Sequence, residues 1–210
     1  MTARRYLLGG ALAAALLFLL LARWVLSGDS TLFDLWVRDT VHGWASPLLT
    51  RGMLAITTLG SEYVLLPLGA VLVWRLATTG RPRQAMLLAA GGLGAELVSQ
   101  VLKLAFHRPR PEVFFGLVPS ETYSFPSGHA FVATVFYGLL AGILMTLVPS
   151  RRKRVYSAAV AVLTGGLIGF SRVYLGYHYP SDVLGGWACA AAWLTLAKLV
   201  SGLPRSWHLR

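Results

Sequence analysis

Residues 129–148 read HAFVATVFYGLLAGILMTLV, a run with no Asp, Glu, Lys or Arg and a histidine at its first position. A helix of about 20 apolar residues reaches across the ~30 Å hydrocarbon layer of a bilayer. Five more stretches meet the same test: 6–26, 52–77, 84–106, 155–174 and 180–200. The expected fold class is therefore an all-α integral membrane protein with six transmembrane helices. The connections 78–83 and 149–154 are short, as neighbouring antiparallel helices require. The chain reads as one membrane-embedded domain over 1–210, with no internal repeat or low-complexity tract. Arg4 and Arg5 ahead of an apolar run also fit a secretory signal, but the run is long and Ala22-Arg23-Trp24 is a poor cleavage site, so 6–26 is read as a helix.

Composition agrees. Of 210 residues 56% are hydrophobic and only 13% charged, with a mean hydropathy of +0.62, against about 25% charged residues in soluble domains. A net charge of +11 invites a nucleic-acid reading. The cations, however, edge the apolar spans and form no stripe on a soluble face, so nucleic acid is excluded as a partner. The amino-terminal side of the six-helix reading collects Arg4, Arg5, Arg75, Arg81, Arg83, Arg151, Arg152, Lys153, Arg154, Lys198, Arg205 and Arg210. The other side holds Arg23, Arg38, Arg51, Lys103, Arg108, Arg110 and Arg172. Basic residues favour the cytoplasm, which puts both termini inside. The single cysteine, Cys189, excludes an internal disulfide, and nothing sets an oligomeric state.

Three polar segments are left over: KLAFHRPRP at 103–111, PSGH at 126–129 and SRVYLGYHYPSD at 171–182. All fall at helix ends on the outer face, and distant cation and histidine clusters meeting at one depth mark a site. Lys103 and Arg110 suit phosphate oxygens; they also fit cations snorkelling at a membrane edge. Ser127, Gly128 and His129 open a helix, whose free N–H groups favour anions; a plain serine cap fits as well. His178 lies one turn before Asp182, a carboxylate able to hold one ring N–H and leave the other nitrogen free. A solvated histidine beside a helix-start aspartate is the plainer alternative.

Together, Lys103-x6-Arg110-Pro111, PSGH at 126–129 and Ser171-Arg172-x5-His178-x3-Asp182 resemble the three-part signature of the type-2 phosphatidic acid phosphatase superfamily. That group includes lipid phosphate phosphatases, undecaprenyl diphosphate phosphatases and vanadium-dependent haloperoxidases. The motifs span 103–182 with no departure at a signature position; the first 100 residues match only in being helical and apolar. The resemblance implies a hydrolase of a lipid phosphate or diphosphate in a bacterial-type inner membrane, with its site on the extracytoplasmic side. Its partners would be the lipid phosphate and the bilayer, with no metal and no cofactor. It further implies that His178 attacks phosphorus to form a phosphohistidine, that Asp182 fixes its tautomer, and that His129 protonates the leaving oxygen. Lys103, Arg110, Arg172, Ser127 and the Gly128 N–H would hold the non-bridging oxygens. Undecaprenyl diphosphate, phosphatidylglycerophosphate and phosphatidic acid all stay open as substrates. A transporter or flippase of phosphorylated lipid is the alternative, but it calls for polar groups spread through both leaflets.

Some further expectations concern packing. Glu96, Ser99, Gln100 and Lys103 form one helical stripe, expected to face the bundle interior, with Glu62 in the same network or with each carboxylate satisfied locally. Leu32, Phe33, Trp36 and Trp44, with Asp34, Arg38 and His42 opposite, fit an amphipathic interfacial helix or an ordinary polar loop. Gly165 and Gly169 are expected at a close helix contact.

Overall fold

A helix that is apolar all round sits in a core or spans a membrane, and α6 (Gly128–Leu147) is the span most enclosed by the other helices. The computed structural model describes residues 2–201. Over these residues the chain runs α1 (Thr2–Leu26), α2 (Thr31–His42), α3 (Pro47–Thr58), α4 (Glu62–Thr78), α5 (Pro82–Phe106), α6, α7 (Arg151–Tyr174) and α8 (Pro180–Ser201), with no strand among them. α6 packs on α5, α7 and α8, and α1 packs on α8. Leu88 and Ala95 of α5, Phe131, Val135, Leu139 and Ile143 of α6, and Ile168 of α7 form the buried centre. Leucines such as Leu12, Leu16, Leu93, Leu97 and Leu163 stay exposed around the outside, as expected for side chains facing lipid.

Among the described residues, five helices are long and apolar enough to span a membrane: α1, α5, α6, α7 and α8. A sixth span exists if α3 and α4, bent by 43° to one another, count as one. The continuous helix expected over 52–77 is thus corrected to two helices with an elbow at residues 59–61. α3 starts earlier than expected, at Pro47, where the Ser46 hydroxyl accepts from the Leu49 N–H at 3.3 Å. The sequence does mark the elbow: Thr57, Thr58, Gly60, Ser61 and Glu62 interrupt the apolar run, a polar dip that a single span over 52–77 passes over. The elbow packs closely on the bundle: a Cβ on Gly60 would lie 2.5 Å from the Ile168 side chain and 3.4 Å from the His129 ring.

Residues 31–42 are a helix, with its polar face turned onto the protein. Asp34 is fully buried and Arg38 nearly so, while Leu32 and Trp36 are exposed. The stripe on α5 is split. Ser99 and Lys103 are buried, but Glu96 and Gln100 are exposed and bond to each other at 2.5 Å. The inward seam of α5 runs Leu88, Gly91, Ala95, Ser99, Lys103; Glu96 and Gln100 each sit one residue, about 100°, beyond it. Glu62 is exposed in the first turn of α4 and belongs to no inner network. Arg205 and Arg210, counted above for orientation, lie outside the described residues.

The two glycines of α7 do mark close packing. A methyl on Gly165 would lie 2.5 Å from the Thr134 hydroxyl, and one on Gly169 would lie 2.6 Å from the Trp187 ring and 2.8 Å from Val183. Gly169→Ala is therefore expected to cost about 1–3 kcal/mol and lower the thermal midpoint in detergent. Gly166→Ala, whose added carbon meets nothing within 4 Å, should leave it unchanged; equal effects of the two would refute this packing.

Candidate active site

At the end of the bundle where α5 stops and α6 starts, the chain makes a long excursion, residues 107–127, before it re-enters a helix. His107 takes a left-handed conformation at φ 49° and closes α5; Pro109 and Pro111 then keep the backbone out of helical geometry. The excursion carries Arg108, Arg110 and Ser124 to the turn between α7 and α8, which holds His178.

His178 is 1% exposed. One ring nitrogen, Nδ1, lies 3.3 Å from Asp182 Oδ2, and the other, Nε2, lies 3.2 Å from Arg110 Nη1. Arg110 is steered by the Tyr177 carbonyl at 2.9 Å and by Thr122, whose carbonyl accepts at 2.6 Å and whose hydroxyl accepts at 2.8 Å. Arg172 stacks on the Tyr177 ring at 4.0 Å and donates to the Thr57 hydroxyl at 2.9 Å. Thr57 lies just ahead of the α3–α4 elbow, which is how the bend serves the site. Lys103 Nζ and Ser99 Oγ flank Gly128, 3.4 and 3.2 Å from where its Cβ would be. The helix start is regular: the Ser127 hydroxyl accepts from the Ala130 N–H at 3.5 Å, and the Ser127 N–H donates to the Asp182 carbonyl at 3.0 Å. His129 beside Gly60 feels the charges of Arg172, His178, Lys103 and Arg110. All eight residues singled out in the sequence thus come to one end of the bundle.

The electrostatics are lopsided. Burial first, then the charges of Arg110, Arg172 and Lys103, holds the His178 imidazole well below its ordinary value near 6.5. Burial likewise lowers Arg110. Arg108 goes the other way: burial opposes its charge, but Asp182 and Asp34 outweigh that and raise it. Arg172 Nε and Ser99 Oγ are buried with no hydrogen-bond partner, an arrangement that costs free energy unless a ligand completes it. Among the described residues no three His, Cys, Asp or Glu side chains gather as a metal site. The groups that do gather are cations and N–H donors around a neutral imidazole, a donor set matched to a tetrahedral oxyanion.

Sequence reading missed the residues that hold Asp182. Arg108 donates to Asp182 Oδ1 at 2.5 Å and to Asp34 Oδ2 at 2.8 Å, and the Ser124 hydroxyl donates to Asp182 Oδ2. In the sequence Arg108 stands out only as one of the cations of segment 103–111, and Asp34 only as part of a helix face. The one available signal was the doubled Arg-Pro in 108–111, where a single pair would complete the motif.

The sequence pattern of the PAP2 superfamily matches residues 84–203. Phosphatidylglycerophosphatase B of Bacillus subtilis (strain 168) is 34% identical over 155 residues, which is 72% of this chain and 75% of that protein. An undecaprenyl-diphosphatase of Sulfolobus acidocaldarius is 28% identical over 152 residues, 70% of this chain and 68% of that one. Among solved structures, a transmembrane PAP2 type phosphatidylglycerolphosphate phosphatase from Bacillus subtilis superimposes with a TM-score of 0.83 at 30% identity, covering 90% of this chain and 94% of that one.

With no ligand bound, the ring of His178 is expected to remain uncharged at pH 6.5, where an ordinary histidine is half protonated. Nitrogen NMR of histidine-labelled protein in detergent reads this directly, and a 178 ring that titrates at or above 6.5 would contradict the geometry described.

Proposed function

The chain belongs to the PAP2 superfamily, and on that footing we propose that it hydrolyses a lipid phosphate or diphosphate without a metal, through a phosphohistidine on His178. The observation that carries the reading is the placement of the His178 ring, with Nδ1 on Asp182 and Nε2 beside Arg110. A neutral imidazole tethered at Nδ1 turns its Nε2 lone pair toward Arg110 Nη1, and that lone pair is released to attack phosphorus as the guanidinium transfers its N–H groups to the phosphate oxygens.

The steps balance as follows. The Nε2 lone pair forms a bond to the terminal phosphorus while the bond from that phosphorus to the leaving oxygen breaks, the oxygen departing on the lipid alcohol of a monophosphate or on the lipid phosphate of a diphosphate. His129 delivers a proton to that leaving oxygen, and Asp182 holds the Nδ1–H of the ring as positive charge develops on it. His129 then takes a proton from water, which attacks phosphorus, breaks the P–N bond and releases inorganic phosphate. Lys103, Arg110 and Arg172, with Ser127 and the Gly128 N–H, hold the non-bridging oxygens throughout. Phosphoryl transfer loads charge onto those oxygens, so fixed cations can supply the stabilisation often given by Mg²⁺. The buried, partnerless Arg172 Nε supports an anion as the missing partner.

The basic residues at the opposite end of the bundle support a cytoplasmic placement for both termini, with the site at the extracytoplasmic face of a bacterial-type inner membrane. The named relatives act on phosphatidylglycerophosphate and undecaprenyl diphosphate, and these two head the substrates to test.

Purified protein in detergent with EDTA should release phosphate from at least one lipid of a panel containing phosphatidylglycerophosphate, undecaprenyl diphosphate and phosphatidic acid. His178→Ala should abolish release, while Lys103→Ala or Arg172→Ala should lower turnover about 10²–10³-fold. Activity that vanishes in EDTA and returns with Mg²⁺, or a His178→Ala variant near wild-type rate, would overturn the mechanism.

A further inference from the structure

Asp182 has a second carboxylate oxygen turned away from His178, and what binds it is unusual. Oδ1 accepts from Arg108 Nη1 at 2.5 Å, and the same guanidinium reaches on through Nη2 to Asp34 Oδ2 at 2.8 Å. Asp34 comes from α2, far away in sequence, and is itself closed off: its Oδ1 accepts from the Ser181 N–H at 2.9 Å and its Oδ2 from the Ser181 hydroxyl at 2.7 Å. Both carboxylates are 0% exposed, and the Arg108 guanidinium lies over the Tyr179 ring at 4.3 Å.

Charge explains why two carboxylates are needed. A lone Arg108 against Asp182 would neutralise the carboxylate just where His178 needs a net negative neighbour. With Asp34 on the far side, the buried group of two carboxylates and one guanidinium keeps a single negative charge, the complement of the positive charge that appears on His178 as it bonds to phosphorus. The fork of Arg108 also fixes the rotation of the Asp182 carboxylate, leaving Oδ2 pointed at Nδ1.

We propose that Arg108 and Asp34 are positioning residues for the reaction, extending the His178–Asp182 pair into a four-membered chain that ends on α2. The inference rests on His178 being the nucleophile. Neither Arg108 nor Asp34 touches the substrate; they act through Asp182 on the rate of the chemical step and leave phosphate binding to Lys103, Arg110 and Arg172.

Asp34→Asn, which keeps the shape and can still bond to Arg108, is the informative variant. Arg108→Gln is the harsher companion, because it leaves two buried carboxylates facing each other and is prone to misfolding. Lipid phosphate hydrolysis in detergent should show kcat for Asp34→Asn lowered about tenfold or more, by analogy with outer partners of functional histidines. KM for the lipid, and competitive inhibition by inorganic phosphate, should stay within about threefold, because the anion site is intact. Asp34→Glu, restoring the charge, should recover part of the lost kcat. A folded Asp34→Asn with kcat within twofold of wild type overturns the proposal. So does a loss shared equally by kcat, phosphate binding and thermal midpoint, which a merely structural tie would give. Wild type and His178→Ala run alongside separate the two levels. If wild type is active and His178→Ala dead while Asp34→Asn is normal, the positioning chain alone fails. If His178→Ala is as active as wild type, the nucleophile assignment and this proposal fall together.

Discussion

One buried carboxylate ties this end of the bundle together. Asp182 is fully enclosed, and a carboxylate in such a place costs several kcal/mol unless its charge and lone pairs are met. They are met from three directions: Arg108 and Ser124 from the α5–α6 excursion, the Tyr179 N–H at the start of α8, and the His178 ring from the preceding turn. Its backbone carbonyl takes the Ser127 N–H, pinning the start of α6 to the start of α8. Segments far apart in sequence are thereby fixed relative to one another, and the cluster of Lys103, Arg110 and Arg172 beside them inherits that rigidity.

Around this tie the charge is unbalanced by design of the sequence. Arg108 is matched by Asp182 and Asp34, but Lys103, Arg110 and Arg172 converge without carboxylates of their own. Their mutual repulsion and their desolvation are tolerated because the surrounding helices hold them in place, and an arriving oxyanion relieves both. Burial first, and the same cations second, hold the His178 imidazole well below its ordinary value, the direction that the proposed nucleophile requires.

The sequence was informative where function imposes spacing and silent where folding pairs distant groups. Lys103, Arg110, Ser127, Gly128, His129, Arg172, His178 and Asp182 were singled out from three short motifs, and the structure brings them to one end of the bundle. The apolar runs gave the helices to within a few residues because a bilayer sets their length. The Gly60 elbow lies in a short polar dip, Thr57-Thr58-Leu59-Gly60-Ser61-Glu62, which a 20-residue apolar window averages away, and the close packing of Gly60 on Ile168 and His129 pairs residues too distant for any local pattern to report. Asp34 and Arg108 escaped because their pairing spans residues 34 to 182, and no periodicity reports it. Glu96 shows the opposite error. It shares a helix stripe with Lys103, yet lies one residue off the seam that packs, and a rotation of about 100° is enough to move a carboxylate outside.

The measurement that bears most directly on the account is trapping of the covalent intermediate. Protein mixed with a phosphate-labelled lipid substrate, quenched in alkali within one turnover and digested for mass spectrometry, should carry an acid-labile phosphoryl group on His178. That label should be absent from His178→Ala and accumulate in His129→Ala if water attack is slowed. Turnover without any label on residue 178 in the wild-type protein, or a label carried by a different side chain, would contradict the mechanism at its centre.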